Sequence, residues 1–350
     1  MRSWGGYSRP FGAILSKRLA PLTTKTWSPK ANTYLLSILL ASVLPAQSID
    51  AELELPAKPR AHCVQPGVVL SVENPAEQME SFAADQQWRE LDCVAGKWTQ
   101  ESPEDAQAHY WVGVARWQQG DHVGAIQALR RAQKLGLNTT SFHKTLGLAY
   151  LGINQFLLFR QQMEKVMELS PQDPQPYFQL GRHFESVQND FEQASRYYHK
   201  AYALKPDDGR SLYYIGWCAE MLGKREEARG AYESAVRWLA AANDRFSWPC
   251  QRLARLLLNS DRERALEWAR QAVGLEPELA VNHYVLGLVY AEVKNLLQAV
   301  EEFREAARLD PTDASAHYRL SRILEQIGKP QEAEAAREMF NRVRSAYGTQ

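Results

Sequence analysis

The chain repeats itself. The stretch opening at Ala108, AHYWVGVARWQQGDHVGAIQALRRAQKLG, can be set above VNHYVLGLVYAEVKNLLQAVEEFREAARLDP, and Gly113 then falls on Gly287, Ala125 on Ala299 and Ala132 on Ala306. A unit of roughly 34 residues fits the spacing, with units opening near Ala106, Thr140, Pro174, Gly209, Phe246, Ala280 and Ala314. The third unit needs one extra residue, and three more fall around Asn243 to Arg245. Such a repeat restricts the fold strongly, because one short unit cannot bury its apolar face alone and must stack on its neighbours.

Each unit reads as two amphipathic helices about a short turn; in the sixth they are Asn282 to Lys294 and Leu297 to Leu309, closed by Pro311. Small residues fall where helices must approach closely: Gly113, Gly147, Gly181, Gly216 and Gly287 in first helices, and Ala125, Ala194, Ala228, Ala265, Ala299 and Ala333 early in second helices. A large side chain there would push the axes beyond their usual separation of about 8–10 Å. Ala132, Ala201, Ala235, Ala272 and Ala306 mark a second close crossing, and Leu146, Leu180, Leu286 and Leu320 supply larger apolar contacts. Pro171, Pro206, Pro277 and Pro311 end the second helices.

In unit length, small-residue frame and helix-ending prolines, the chain resembles the tetratricopeptide repeat family from Ala106 to Ala346. The resemblance implies an all-α solenoid of seven helix-turn-helix repeats over 106–346, wound as a right-handed superhelix, with 347–350 as a tail. Residues 72–105 fit the same frame as a degenerate repeat, with Met79, Phe82, Leu91, Ala95, Trp98 and Pro103 in place, and 49–71 read as a proline-bearing linker. Departures from the family pattern are Phe159 and Phe340 in place of Ala, and Leu253 and Ser321 in place of Gly. With the three extra residues beside it, the fifth unit is where altered packing or a bend is expected.

Residues 1–48 carry six basic and no acidic side chains, then the apolar run Tyr34 to Val43-Leu44, then Pro45-Ala46-Gln47-Ser48. The run is shorter than the roughly 20 residues of a membrane span, and Ala46 and Ser48 suit peptidase cleavage before Ile49, which reads as an export signal. The polar stretch ahead of the run is long for such a signal, leaving a start codon set too far upstream, or an organelle transit peptide, as alternatives. No Cys directly follows the run to take a lipid anchor. Removal of that segment leaves 35 basic against 41 acidic residues, so the remaining chain offers no electrostatic basis for nucleic-acid binding. The four cysteines form no CxxC; an oxidising compartment would permit a Cys63–Cys93 bridge, while Cys218 and Cys250 read as buried, inert thiols.

His109, His143, His283 and His317 share the fourth position of their units, with Tyr177, Leu212 and Pro249 in the others. Stacked helices about 8–10 Å apart cannot by repetition alone bring these rings to the roughly 2 Å that zinc ligation requires, so packing is the expected role. The next position turns about 100° away onto the face that, by the resemblance, lines the concave groove. That face gives Tyr110, Lys144, Phe178, Tyr213, Tyr284 and Tyr318, with Arg182, Trp217 and Arg322 four residues after three of them. Tyr, Trp and Arg suit partner recognition, although in the family such aromatics also serve simply to fill the inner layer. The expectation is capture of an extended segment or helix of an unknown protein, Tyr213 and Trp217 anchoring and Arg182 and Lys144 pairing with acidic groups. The carboxylate clamp of one family subgroup is absent: Lys144 is in place, but Leu148, Gln179, Tyr213 and Trp217 occupy its other positions.

No G-x-S-x-G, H-E-x-x-H, P-loop or G-x-G-x-x-G occurs, so no catalytic residue, cofactor or metal is expected. Asn138-Thr139-Thr140 matches a glycosylation acceptor, a triplet that also arises by chance. Two other roles stay open: an envelope-assembly module that binds through its ends or convex face, with Met339, Phe340 and Val343 as the sticky surface, or a groove for a glycan or small ligand.

Overall fold

The computed structural model describes residues 74–347; the candidate signal, the linker and Cys63 lie outside them. The described residues form sixteen α-helices and no strand, an all-α repeat solenoid in two compact units divided between Leu169 and Ser170. The first unit holds three pairs: α1 (Pro75–Ala84) with α2 (Trp88–Glu101), α3 (Ala106–Gln118) with α4 (His122–Lys134), and α5 (Thr140–Gly152) with α6 (Phe156–Leu169). The second holds five: α7 (Gln175–Ser186) with α8 (Phe191–Leu204), α9 (Gly209–Met221) with α10 (Arg225–Ala241), α11 (Trp248–Leu257) with α12 (Arg262–Leu275), α13 (Ala280–Glu292) with α14 (Leu296–Leu309), and α15 (Ala314–Gln326) with α16 (Pro330–Tyr347). None of these helices is long and apolar enough to cross a membrane.

Local chemistry sets the helix starts. Asp105, Asp121, Asp190, Asp208, Asp261 and Asp313 each accept a backbone N–H of the helix that follows, and Thr139 does so for α5. Seven of the eight turns inside the pairs carry a left-handed residue, Gln86, Gly120, Asn154, Asn189, Gly223, Lys294 or Gly328, so the chain reverses within three or four residues.

The small first-helix residues are notches for large partners. A Cβ added at Gly181 would stand 2.7 Å from the Tyr198 ring, one at Gly216 the same distance from Tyr232, and one at Gly287 2.9 Å from Phe303. All three aromatic side chains are fully buried. In α11 the sizes are exchanged: Leu253 replaces the glycine, and the residue sixteen positions on is Ala269, both without exposed surface. The three extra residues near Asn243 do not bulge; α10 runs to 17 residues where α8, α12 and α14 have 14. The segment after α10 is pinned by Arg210 on Asp244 at 3.1 Å, by Arg245 on the Leu275 carbonyl at 2.8 Å, and by Ser247, which donates to Glu276 and receives a bond from the fully buried Asn282.

Candidate functional site

In the unit ending at Leu169, the two predicted groove residues are taken up internally. Tyr110 of α3 is half-buried, hydrogen-bonds with the side chains of Thr145 and Ser141, and has its phenol pushed to a higher pKa by burial. Lys144 of α5 is half-buried and also has a partner within the chain.

From Ser170 onward the predicted residues sort by exposure. Tyr213 is only 4 % exposed, wedged edge-on against Tyr214 at 5.0 Å and Phe246 at 5.1 Å and tilted over Tyr232 at 5.8 Å. It is core, and the expectation that it anchors a partner is corrected: the tenth helix of the array, lengthened and followed by Phe246, closes over it. Phe178 of α7 is half-buried, edge-on to Tyr198 and Tyr214. Tyr284 of α13 is half-buried beside Phe303 at 5.7 Å. Tyr318 of α15 is 45 % exposed against Phe340 at 5.5 Å, and Arg322 reaches outward with Glu325 at 3.9 Å.

Arg182 and Trp217 belong to one connected network. Arg182 donates to the Tyr214 hydroxyl at 2.7 Å, lies 4.9 Å from that ring's centre, and places Nε 3.5 Å from Glu185. Glu185 accepts from the Trp217 indole N–H at 3.2 Å, and the Arg252 guanidinium covers the indole at 4.0 Å. Arg252 stands 3.7 Å from Glu220, which also accepts the Tyr232 hydroxyl at 2.7 Å. Arg182 is therefore committed to its own neighbours, which corrects the expectation that it pairs with acidic groups of a partner.

Electrostatics follow from burial. Burial raises the pKa of Glu185 despite Arg182 and the indole bond opposing it. Burial lowers that of Arg182, but Tyr214, Tyr198 and Glu185 outweigh it, so the guanidinium stays charged. Burial also pushes the Cys218 and Cys250 thiols up to about 12, so these free cysteines are unreactive at neutral pH. Cys93 is disulfide-bonded.

Two cations and two carboxylates cancel, and what remains half-exposed is a Trp face fixed at its edge by Glu185 and on one side by Arg252. Glu185, Glu220 and Arg252 were missed from the sequence. The glutamates follow Arg182 and Trp217 by three residues, one helical turn on the same face, so their spacing was readable. Arg252 was hidden, because it stands at the seventh position of its unit, where the other units carry apolar residues such as Leu146, Leu180 and Leu286.

Three of the four histidines of the shared slot find local partners: His109 bonds to the Pro103 carbonyl, His143 to Gln162 and Asn138, and His283 to Glu302 and the Pro277 carbonyl. Val343, expected as part of a sticky end, is buried, while Met339 and Phe340 are half-buried.

Comparison with known proteins places this geometry in a family. The tetratricopeptide repeat description matches residues 94–136, 185–245 and 283–339. Superkiller complex protein 3 of Mus musculus is 21 % identical over 252 residues, 70 % of this chain but only 16 % of that protein. Among solved structures, the APC/C hetero-tetramer Cut9-Hcn1 matches with a TM-score of 0.56 at 17 % identity over 70 % of this chain and 48 % of that one. Pseudomonas aeruginosa pilF matches with 0.52 at 16 % identity, over 60 % and 93 %. At these identities the structural likeness is one of fold. Helical pairs of this period, glycine notches filled by aromatic or aliphatic partners and three matched stretches together make the chain a member of the tetratricopeptide repeat family.

Proposed function

We propose that the chain is a non-catalytic scaffold that holds a segment of a partner protein on the first-helix face of residues 170–347, with Trp217 as the central contact. Protein–protein interaction is the general role this fold supports. The observation that carries the finer reading is the state of Trp217: half-exposed, yet already held by Glu185 at 3.2 Å and by Arg252 at 4.0 Å. An aromatic ordered before binding loses little side-chain entropy on contact, and such residues dominate interface energetics. Because the neighbouring charges cancel locally, the partner is recognised through apolar and planar groups and not through acidic ones. Phe178 and Tyr284 extend the aromatic character along the equivalent positions of other units, and Tyr318 and Arg322 give it an exposed end.

The same reading places the protein outside the cytosol. The disulfide at Cys93 supports this, since such bonds persist in oxidising compartments, as does the apolar run before Ile49. An N-terminal sequence of the mature protein beginning at or near Ile49 is the expected result; recovery of the intact chain from cytosol would count against export.

The interaction is tested with a photo-crosslinker at Met221, exposed and one helical turn beyond Trp217, and a control at Trp238, exposed on α10. One discrete adduct from Met221, lost on Trp217→Ala, is expected. Capture from Trp238 alone would move the interaction to the second-helix side.

A further inference from the structure

The carboxylate that holds Trp217 is only half used. Its Oε1 accepts the indole N–H at 3.2 Å, but Oε2 of Glu185 is buried and forms no hydrogen bond among the described residues. Arg182 Nε approaches Oε2 only to 3.5 Å, and the Tyr198 phenol faces the same carboxylate from α8. Arg182 Nε and the Tyr198 hydroxyl are likewise buried without a hydrogen bond of their own. A buried carboxylate oxygen with no well-placed donor is costly to keep charged.

The surroundings decide how that cost is relieved. Glu185 faces Arg182 on its own helix, Tyr198 on α8, and Tyr213, Tyr214, Trp217 and Cys218 on α9, while Arg252 of α11 covers the indole at 4.0 Å. Burial raises the pKa of the three phenols and of the thiol, and Arg182 stays charged, so none of these groups changes charge in mild acid. Glu185 does: burial favours its neutral form, with Arg182, the indole N–H and the Tyr198 hydroxyl opposing. A proton also has a place to go, because a protonated Oε2 donates to the Tyr198 hydroxyl oxygen. We propose that Glu185 is a proton-operated latch on Trp217: as a carboxylate it fixes the indole, and in mild acid it takes a proton from water on Oε2 and loosens that hold. The bond to the indole then changes from charge-assisted to neutral, which is roughly half as strong, and Arg182 loses its counter-charge. The regulatory meaning rests on the reading of Trp217 as the partner contact. In acid the indole must be ordered again on binding, which lowers affinity by roughly threefold to tenfold.

The test follows the free full chain, labelled with 5-fluorotryptophan, by fluorine NMR from about pH 7.5 to about pH 4, with the Trp217 signal assigned by Trp217→Phe. That signal is expected to titrate with a midpoint above the ordinary glutamate value of about 4.3, in step with the side-chain carboxyl carbon signal of Glu185. Glu185→Gln, whose amide oxygen still accepts from the indole, should hold the Trp217 signal near its acid position throughout, whereas Glu220→Gln should still titrate. A Trp217 signal that does not titrate, one that titrates equally in Glu185→Gln, or a midpoint different from that of the Glu185 carbon would overturn the latch; the carbon signal decides without any variant. A Met221 adduct of unchanged yield about one unit below the midpoint would overturn the regulation. These signals are read without a partner, so absence of the adduct at neutral pH would count against the partner reading alone.

Discussion

At the scale of single residues, glycines with the same name do opposite work. Gly216 admits the buried Tyr232 ring, and a Cβ would come within 2.7 Å of it and 3.2 Å of the Ala228 carbonyl. Gly230, inside α10, has nothing within 4 Å of its added Cβ. Gly216→Ala should therefore cost about 1–3 kcal/mol by overpacking, and Gly230→Ala should gain about 0.5–1 kcal/mol by helix propensity, both read from urea unfolding midpoints. The recurring histidines were legible as packing residues, but not their hydrogen bonds, since the acceptor lies on another helix. His283 has a raised pKa, chiefly because of its bond to Glu302, with burial opposing and the Pro277 carbonyl and Glu305 assisting. Its stabilisation is fully present below about pH 6.5 and is lost as pH rises through the folded-state value. Wild type should exceed Glu302→Gln in melting temperature most near pH 5.5, with the gap narrowing by pH 8.

At the scale of elements, the helices themselves were readable, because apolar spacing, aspartate caps and closing prolines are local signals. Seven of the eight turns within pairs use a left-handed residue, and the turn after α13 supplies Lys294 at φ 64° where five of the others use Gly or Asn. An L side chain with a Cβ is strained there, so Lys294→Gly should raise stability by about 0.5–1 kcal/mol in thermal unfolding. Asp208 accepts backbone N–H groups from Arg210 and Ser211 at the start of α9, and Asp208→Ala should cost about 1 kcal/mol. The fifth repeat was legible only as an irregularity: whether three residues bulge or lengthen a helix depends on what receives them, and here Asp244 and Ser247 find Arg210, Glu276 and Asn282.

At the scale of the whole molecule, the question is which aromatic side chains remain available to a partner. In the network around Trp217, Arg182 faces Glu185 and Arg252 faces Glu220, so binding through this face should depend weakly on ionic strength. Partner affinity is expected to change less than threefold, on the order of the effect of one rim charge, between 50 and 500 mM salt. Trp217→Ala should weaken it by roughly thirtyfold or more, while Trp238→Ala leaves it unchanged. Isothermal titration with the crosslinked partner would check all three; a steep loss of affinity with salt would return the cations to the role first expected of them.

The period, the helical pairs, their starts and the close crossings were determined by the sequence alone, because each rests on spacing within one helix or between two consecutive ones. The first-helix face could also be drawn from periodicity. What its residues do there was decided only by tertiary structure. Tyr213 and Trp217 lie one turn apart on α9, yet Phe246 and Tyr232 enclose the first while Arg252 and Glu185 hold the second half-open. Burial and charge pairing depend on side chains brought in from three helices at once, and no spacing along one strand of sequence encodes them.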